Sequence, residues 1–245
     1  WISRKKYLDS LNIKHYWVIA PIKHYIYSEY LPFNIVKSKT RRVDQIKDYL
    51  KDSLPNLIID PTEAFLQIKK IKKIYNQLDN HWNLTAGYKV SEIILSKIKK
   101  DFPNEKIGDL QTINWKDSII QQGIHYGVLG IEELYEIEKF PILLDNKSQP
   151  ADKYNFTPIE NFPYPWDYER RFVNKEATNN LKVLFIIDSF GDRLIPFIKE
   201  PFKESVFIFD SWHYNINKSI IETVKPDIVV FLSLETHIEH ILEYK

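Results

Sequence analysis

The sequence predicts an α/β fold: a mostly parallel sheet with helices packed on both faces, a three-layer α/β/α sandwich. Two observations carry this. Five short runs rich in β-branched and aromatic residues, bounded by Pro, Asp or Asn, read as buried strands at Tyr16–Ala20, Asn56–Asp60, Lys182–Asp188, Ser205–Asp210 and Asp227–Leu232. Between them lie stretches whose apolar residues recur at helical spacing, and strands alternating with helices make βαβ units and hence a parallel sheet.

Taken in order, Ser3–Leu11 reads as a helix that the chain enters almost at Trp1, so a preceding segment carrying any signal or anchor is expected. After the first strand, Arg41–Leu54 places Val43, Ile46, Tyr49 and Leu50 on one helical face. Pro61 opens the next helix, at a position where its missing N–H costs nothing. Leu84–Phe102 is a longer amphipathic helix with Asn83 or Thr85 available as N-cap. Ile216–Val224 and Leu234–Tyr244 complete the set. The stretch 106–175 interrupts this rhythm: it holds four of the six glycines and the segment Phe162-Pro-Tyr-Pro-Trp-Asp-Tyr. It reads as an insertion of short strands and loops within a single domain, 1–245, that leads back into the sheet at Lys182.

Composition narrows the function. With 44% apolar and 14% aromatic residues in 245, the chain can bury a large core. Lys and Arg total 34 against 33 Asp and Glu, a net charge of +1, which lacks the basic excess that binding a phosphate backbone demands; no nucleic-acid partner is expected. No apolar run reaches the eighteen or so residues that span a bilayer. The absence of cysteine removes disulfides, thiolate catalysis and Cys-ligated zinc. Methionine is absent too, unusual in so long a chain, so local motifs carry more of the reading than long spacings do.

Two local motifs can carry chemistry. The run from Leu181 to Gly191 is a buried strand that ends in Asp188-Ser189 and turns into a helix, and ligands of open α/β sheets bind at the carboxyl ends of strands. A serine there presents its hydroxyl to the crevice while N–H groups of the helix start face the same space; as an isolated feature it reads equally well as a helix cap. Ile187 stands where a G-x-S-x-G elbow needs its first glycine, which disfavours the α/β-hydrolase fold. The second motif is Asp79-Asn80-His81. A carboxylate two residues from an imidazole can fix its tautomer and support the imidazolium formed when it takes a proton from serine. Alone, this pair reads as an ordinary helix entry; with Ser189 on a second loop it completes a Ser189, His81, Asp79 triad.

Residues 79–83, Asp-Asn-His-Trp-Asn, followed by Gly87 and Tyr88, resemble the D-x-H-W-N signature of the alginate O-acetyltransferase family (the AlgJ and AlgX type), whose domain is SGNH-hydrolase-like. The stretch Val18 to Pro32, the run Asp188-Ser189-Phe190 with Pro196-Phe197, and the closing Lys225-Pro-Asp-Ile-Val-Val are similar to the same family. The likeness extends from Tyr16 to about Leu242, with the middle insertion unmatched. It implies Ser189 as nucleophile, His81 as general base and Asp79 as its orienting partner. Two positions depart from the family: its E-R pair becomes Glu235-Thr236, which loosens an ion pair, and the Asn of its P-N-K becomes Ile22.

On this reading the reaction is O-acetyl transfer through an acetyl-serine, with the oxyanion held by the N–H groups of Ser189 and Gly191 and by the Asn83 amide. Trp82, Lys23, Arg193 and Trp212 are the expected substrate contacts, no cofactor or metal is expected, and the chain is expected to be monomeric. The resemblance implies a polysaccharide acceptor, a membrane-bound O-acyltransferase delivering the acetyl group, and a periplasmic or cell-surface location. Water in place of the sugar gives an acetylesterase, and an inactive polysaccharide-binding protein is a third reading. Tyr164, Trp166, Tyr168 and Arg170-Arg171 are weaker candidates for glycan contacts. His237 and His240 with Glu235 and Glu239 could hold a metal, as in a metal-dependent hydrolase, but read better as a solvated helix face.

Overall fold

The computed structural model describes all residues except 37, 121–134, 144–145, 159–166, 212 and 240–245. In chain order the helices are α1 (Ile2–Ser10), α2 (Lys23–Ile26), α3 (Arg42–Leu50), α4 (Thr62–Ile68), α5 (Leu84–Asp101), α6 (Ile195–Ile198) and α7 (Lys218–Val224). The strands are β1 (Lys14–Ala20), β2 (Ile58–Ile59), β3 (Asn114–Ile120), β4 (Glu136–Ile142), β5 (Ser148–Pro150), β6 (Glu169–Asn174), β7 (Lys182–Ile187), β8 (Glu204–Phe209) and β9 (Ile228–Leu234).

Seven strands form one sheet in the order β2-β1-β9-β7-β8-β6-β5, the first five mutually parallel. Each of the five runs read as strands contributes one of these, and the α/β class with a mostly parallel sheet is the observed one. Side chains alternate across the sheet. Tyr16, Val18 and Ala20 of β1, with Val183, Phe185 and Ile187 of β7, join one core with α5. Trp17, Ile19, Leu184 and Ile186 join the other, with residues of α1, α3 and α7. Helices thus cover both faces, and every residue of β8 and nearly every one of β7 and β9 is buried, which is why these runs are continuously apolar.

The insertion departs from its reading. It does not return to the sheet at Lys182: β6 already pairs antiparallel with β8, and β5 with β6, extending the sheet by two strands. A separate antiparallel hairpin, β3 with β4, lies outside the main sheet. Asn56–Asp60 shortens to two paired residues, because Asp60 turns aside to accept from the Thr62 N–H (3.0 Å) and hydroxyl (2.5 Å). The last strand runs to Leu234, two residues further than read, followed by a 3₁₀ turn at Glu235–His237.

Gly87, in the first turn of α5, is a point of close approach. A Cβ there would stand 2.1 Å from the Arg193 carbonyl oxygen, a backbone atom of the turn that follows β7. Gly87→Ala is therefore expected to force α5 away from that turn at a cost of about 1–3 kcal/mol or more. A lowered melting temperature with lost esterase activity would report it, and an unchanged melt would contradict the close packing.

Candidate active site

Strand β7 is the central strand of the sheet, and the chain leaves its carboxyl end through Asp188 into a 3₁₀ turn, Ser189–Arg193. Asp188 makes that turn: its Oδ1 accepts from the Phe190 N–H (2.9 Å) and its carbonyl from the Gly191 N–H (3.0 Å). Ser189 is left at the head of the turn. Its Oγ lies 2.7 Å from His81 Nε2, and His81 Nδ1 lies 2.7 Å from Asp79 Oδ1, which also accepts from the His81 backbone N–H at 2.9 Å. Asp79, His81 and Ser189 are 108 residues apart at the widest contact, and the fold sets them in one hydrogen-bonded line. Burial alone would push the Asp79 carboxyl up, but the His81 ring and backbone hydrogen bonds, with the nearby charges of His81 and Arg193, hold it below the ordinary carboxylate value. It stays ionised, which fixes the proton on Nδ1 and leaves Nε2 to accept from Ser189.

The segment carrying Asp79 is clamped from two sides. Lys23 Nζ donates to the carbonyls of Asn76 (2.6 Å), Gln77 (2.7 Å) and Asp79 (3.0 Å). Glu136, on β4 of the insertion, accepts from the N–H groups of Gln77 (2.7 Å) and Leu78 (2.8 Å) and pairs with Lys73. Glu138, two residues on and so on the same face of β4, accepts from the Asn76 amide at 3.0 Å. Lys23 was expected to meet substrate; the structure instead commits it to backbone carbonyls of this loop. Glu136 and Glu138 were missed altogether. Alternating glutamates on a strand read from sequence as its solvent face, whereas here Glu136 and Glu138 are buried and Ile137 between them is exposed.

Other expected contacts move as well. Trp82 is fully buried: its Nε1 donates to the Phe190 carbonyl at 2.8 Å and its ring packs edge-on against Phe65 and Phe190. It ties the His81 loop to the Ser189 turn and has no face to offer a sugar. Asn83 is the N-cap of α5, its Oδ1 accepting from Ala86 N–H (3.1 Å) and its Nδ2 donating to the Lys73 carbonyl (2.9 Å), so the capping role replaces the oxyanion role. The Gly191 N–H is spent on Asp188, and Gly191 packs against Ile187, where a Cβ would come within 2.6 Å of side-chain atoms. Of the three expected oxyanion donors, only the Ser189 N–H has no acceptor among the described residues.

Arg193 is half-buried near Asp79. Trp212, Tyr164, Trp166 and His240 lie outside the described residues. Tyr168 packs against the core. Arg170 pairs with Asp192 and Arg171 with Glu204 (2.7 Å), so neither is a free cation. Glu235 and His237 are buried, whereas Thr236 and Glu239 are exposed, and the expected loosening of an ion pair does not occur: Glu235 accepts from Arg41 Nε (3.1 Å) and Nη2 (2.7 Å), an arginine supplied from 194 residues away. Among the described residues no three His, Asp or Glu side chains converge as metal ligands.

Behind Ser189, Asp188 is fully buried, its Oδ2 accepting from the Tyr214 hydroxyl (2.8 Å) and the Leu234 N–H (2.7 Å), and the Tyr214 hydroxyl stands 2.5 Å from His237 Nδ1. Burial pushes this carboxyl up to about 6, against the downward pull of Tyr214, the Leu234 and Phe190 amides and His81. A carboxyl raised in the folded state contributes stability that is complete below its ordinary value of 3.8 and lost as pH rises through about 6. Asp79 has the opposite sign: its contribution is present above the ordinary range and lost as pH falls through its depressed value. The expected result is an infrared carboxylic-acid band that titrates near pH 6 and is missing from Asp188→Asn; a band titrating in the ordinary carboxylate range would contradict the burial argument.

Several solved structures share this architecture. Bacillus cereus PatB1, solved with a sulfonyl adduct, matches with a TM-score of 0.68 at 18% identity over 96% of this chain and 86% of that one. It is the SGNH-like fold. A DHHW family protein from Eubacterium siraeum matches with a TM-score of 0.67 at 16% identity, covering 99% of this chain and 88% of its own. The O-acetyltransferase domain of Pseudomonas putida AlgJ matches with a TM-score of 0.59 at 10% identity, covering 100% and 82%. At these identities the likeness is one of fold. No protein-family model and no curated protein matches the sequence.

Proposed function

We propose that this chain is a serine-dependent O-acetyltransferase that moves an acetyl group onto hydroxyls of an exported or cell-surface polysaccharide. The observation that carries the reading is the hydrogen-bonded line Asp79–His81–Ser189 at the carboxyl end of the central strand. His81 Nε2 takes the Ser189 proton as Oγ attacks the acetyl carbonyl of the donor, and Asp79 stabilises the imidazolium. The Ser189 N–H faces the developing oxyanion. Collapse releases the donor's leaving group, which takes the proton from His81, and leaves an acetyl ester on Oγ. A sugar hydroxyl then gives its proton to His81 and attacks the ester, restoring free Ser189. Arg193, whose charge acts on Asp79, is on this reading a contact of the acceptor.

The fold shared with an O-acetyltransferase domain supports transfer over other acyl chemistry. Delivery of acetyl by a membrane-bound O-acyltransferase, an extracytoplasmic location and a monomeric state belong to the same proposal; among the described residues no helix is long and apolar enough to cross a membrane. Water in place of sugar makes the protein an acetylesterase. The test is to supply p-nitrophenyl acetate with a panel of oligosaccharides. Acetylated oligosaccharide seen by mass spectrometry, at the expense of free acetate, is expected; free acetate alone with every glycan would make the esterase reading the right one, and no reaction would leave a binding protein.

A further inference from the structure

A groove of about 940 Å³ opens beside the triad, with Asn80, the neighbour of His81, at its edge. One wall is the turn after α4, Lys69-Lys-Ile-Lys-Lys73. Lys69 is matched by Glu29, Lys73 by Glu136, and Lys23 by backbone carbonyls. Lys70 donates to the Gln67 side chain (2.9 Å), and among the described residues neither Lys70 nor Lys72 has a carboxylate partner. Tyr30 and Leu31 also line the groove, and the chain runs on from them through Phe33 and Val36. Tyr30 is 81% exposed, Phe33 102%, Val36 89%, and Ile71, between the lysines, 79%.

Single exposed apolar residues need no explanation, but exposed Tyr30 and Ile71 line this groove together with Lys70 and Lys72, and exposed Phe33 and Val36 follow Tyr30 by three and six residues. Aromatic and aliphatic tips insert at the headgroup boundary of a bilayer while lysines meet lipid phosphates. A soluble anionic polymer would satisfy Lys70 and Lys72 but leave Phe33 and Val36 in water. A second copy of this chain would cover the apolar tips but bring two lysine clusters together. We infer that this rim docks on a bilayer containing anionic lipid, with Phe33 and Val36 inserted and Lys70 and Lys72 against the headgroups.

The test is co-sedimentation with vesicles of phosphatidylglycerol and phosphatidylcholine, against phosphatidylcholine alone. The chain is expected to partition onto the mixed vesicles, less so as salt rises. Lys70→Gln with Lys72→Gln is expected to weaken partitioning about twenty-five-fold, at about fivefold per lysine. Phe33→Ser with Val36→Ser is expected to weaken it at least about tenfold. Both double variants should turn over p-nitrophenyl acetate in solution as the parent does, which reports that they fold. Phe33→Trp should show an emission blue shift on adding the mixed vesicles. No partitioning, partitioning indifferent to both double variants, or no blue shift would overturn the proposal. So would lysine-dependent capture of a soluble polyuronate without vesicle binding, or self-association lost in Phe33→Ser with Val36→Ser.

Discussion

Ser189→Ala and His81→Ala are each expected to lower acetyl-ester turnover by on the order of a million-fold while leaving the fold intact, because nucleophile and base act as one unit and losing either ends covalent catalysis. Asp79→Asn is expected to cost less, about ten-thousand-fold, since Asp79 orients the ring and stabilises the imidazolium without bonding to the substrate. The ordering follows from the geometry: both 2.7 Å contacts converge on His81, but only the one to Ser189 lies on the path of the transferred proton. Release of p-nitrophenol, with a thermal melt as control, decides it. An equal loss for all three would point to a fourth group sharing the proton, and an active Ser189→Ala would move the nucleophile elsewhere.

Arg41→Ala is expected to destabilise the fold by about 3–5 kcal/mol, because it leaves the buried Glu235 carboxylate without its cation. The buried guanidinium donates to both oxygens of Glu235, to Thr62 (2.7 Å) and to Asp60 (3.3 Å), and lies 4.4 Å over the Tyr25 ring. Burial disfavours its charge, but Glu235 and Asp60 outweigh that and raise its pKa. Asp60 would keep Lys47 (2.6 Å), whereas Glu235 would lose both of its bonds from Arg41. A melting point lower by on the order of 10 °C is the expected reading. Arg41→Lys should recover little, since an ammonium lacks the two-pronged geometry. Arg41→Met with Glu235→Leu should recover much of the loss, because a pair removed together leaves one fewer orphaned charge. A melt unaffected by Arg41→Ala would contradict this account of the network.

How much of this was legible in the sequence depended on whether the signal is local. Strands β7, β8 and β9 announce themselves because burial on both faces makes them continuously apolar. Ser189 and the Asp79-x-His81 pair were legible as strand-end and helix-entry motifs. The supports of that line were not. Lys23 holds carbonyls more than fifty residues away, and Glu136 reaches the same loop from an insertion with no matching motif. Short strands were expected in the insertion, but that β5 and β6 extend the main sheet was not legible, because strands toward a sheet edge mix charge with apolar residues, as in Glu169-Arg170-Arg171-Phe172. Asn83 shows competition within one residue: the helix end and the Lys73 carbonyl take the amide that an oxyanion would need. Trp82 was read as a sugar platform from its place beside His81, yet the ring points into the core, where aromatic side chains most often belong.

The most direct measurement is peptide mapping by mass spectrometry after the protein is incubated with an acetyl donor and no acceptor glycan, then quenched in acid. An acetyl group on the peptide containing Ser189, chased by adding acceptor and missing from Ser189→Ala, is the expected result. Acetyl on another residue, or steady turnover with Ser189 unlabelled under rapid quench, would contradict an acetyl-serine intermediate.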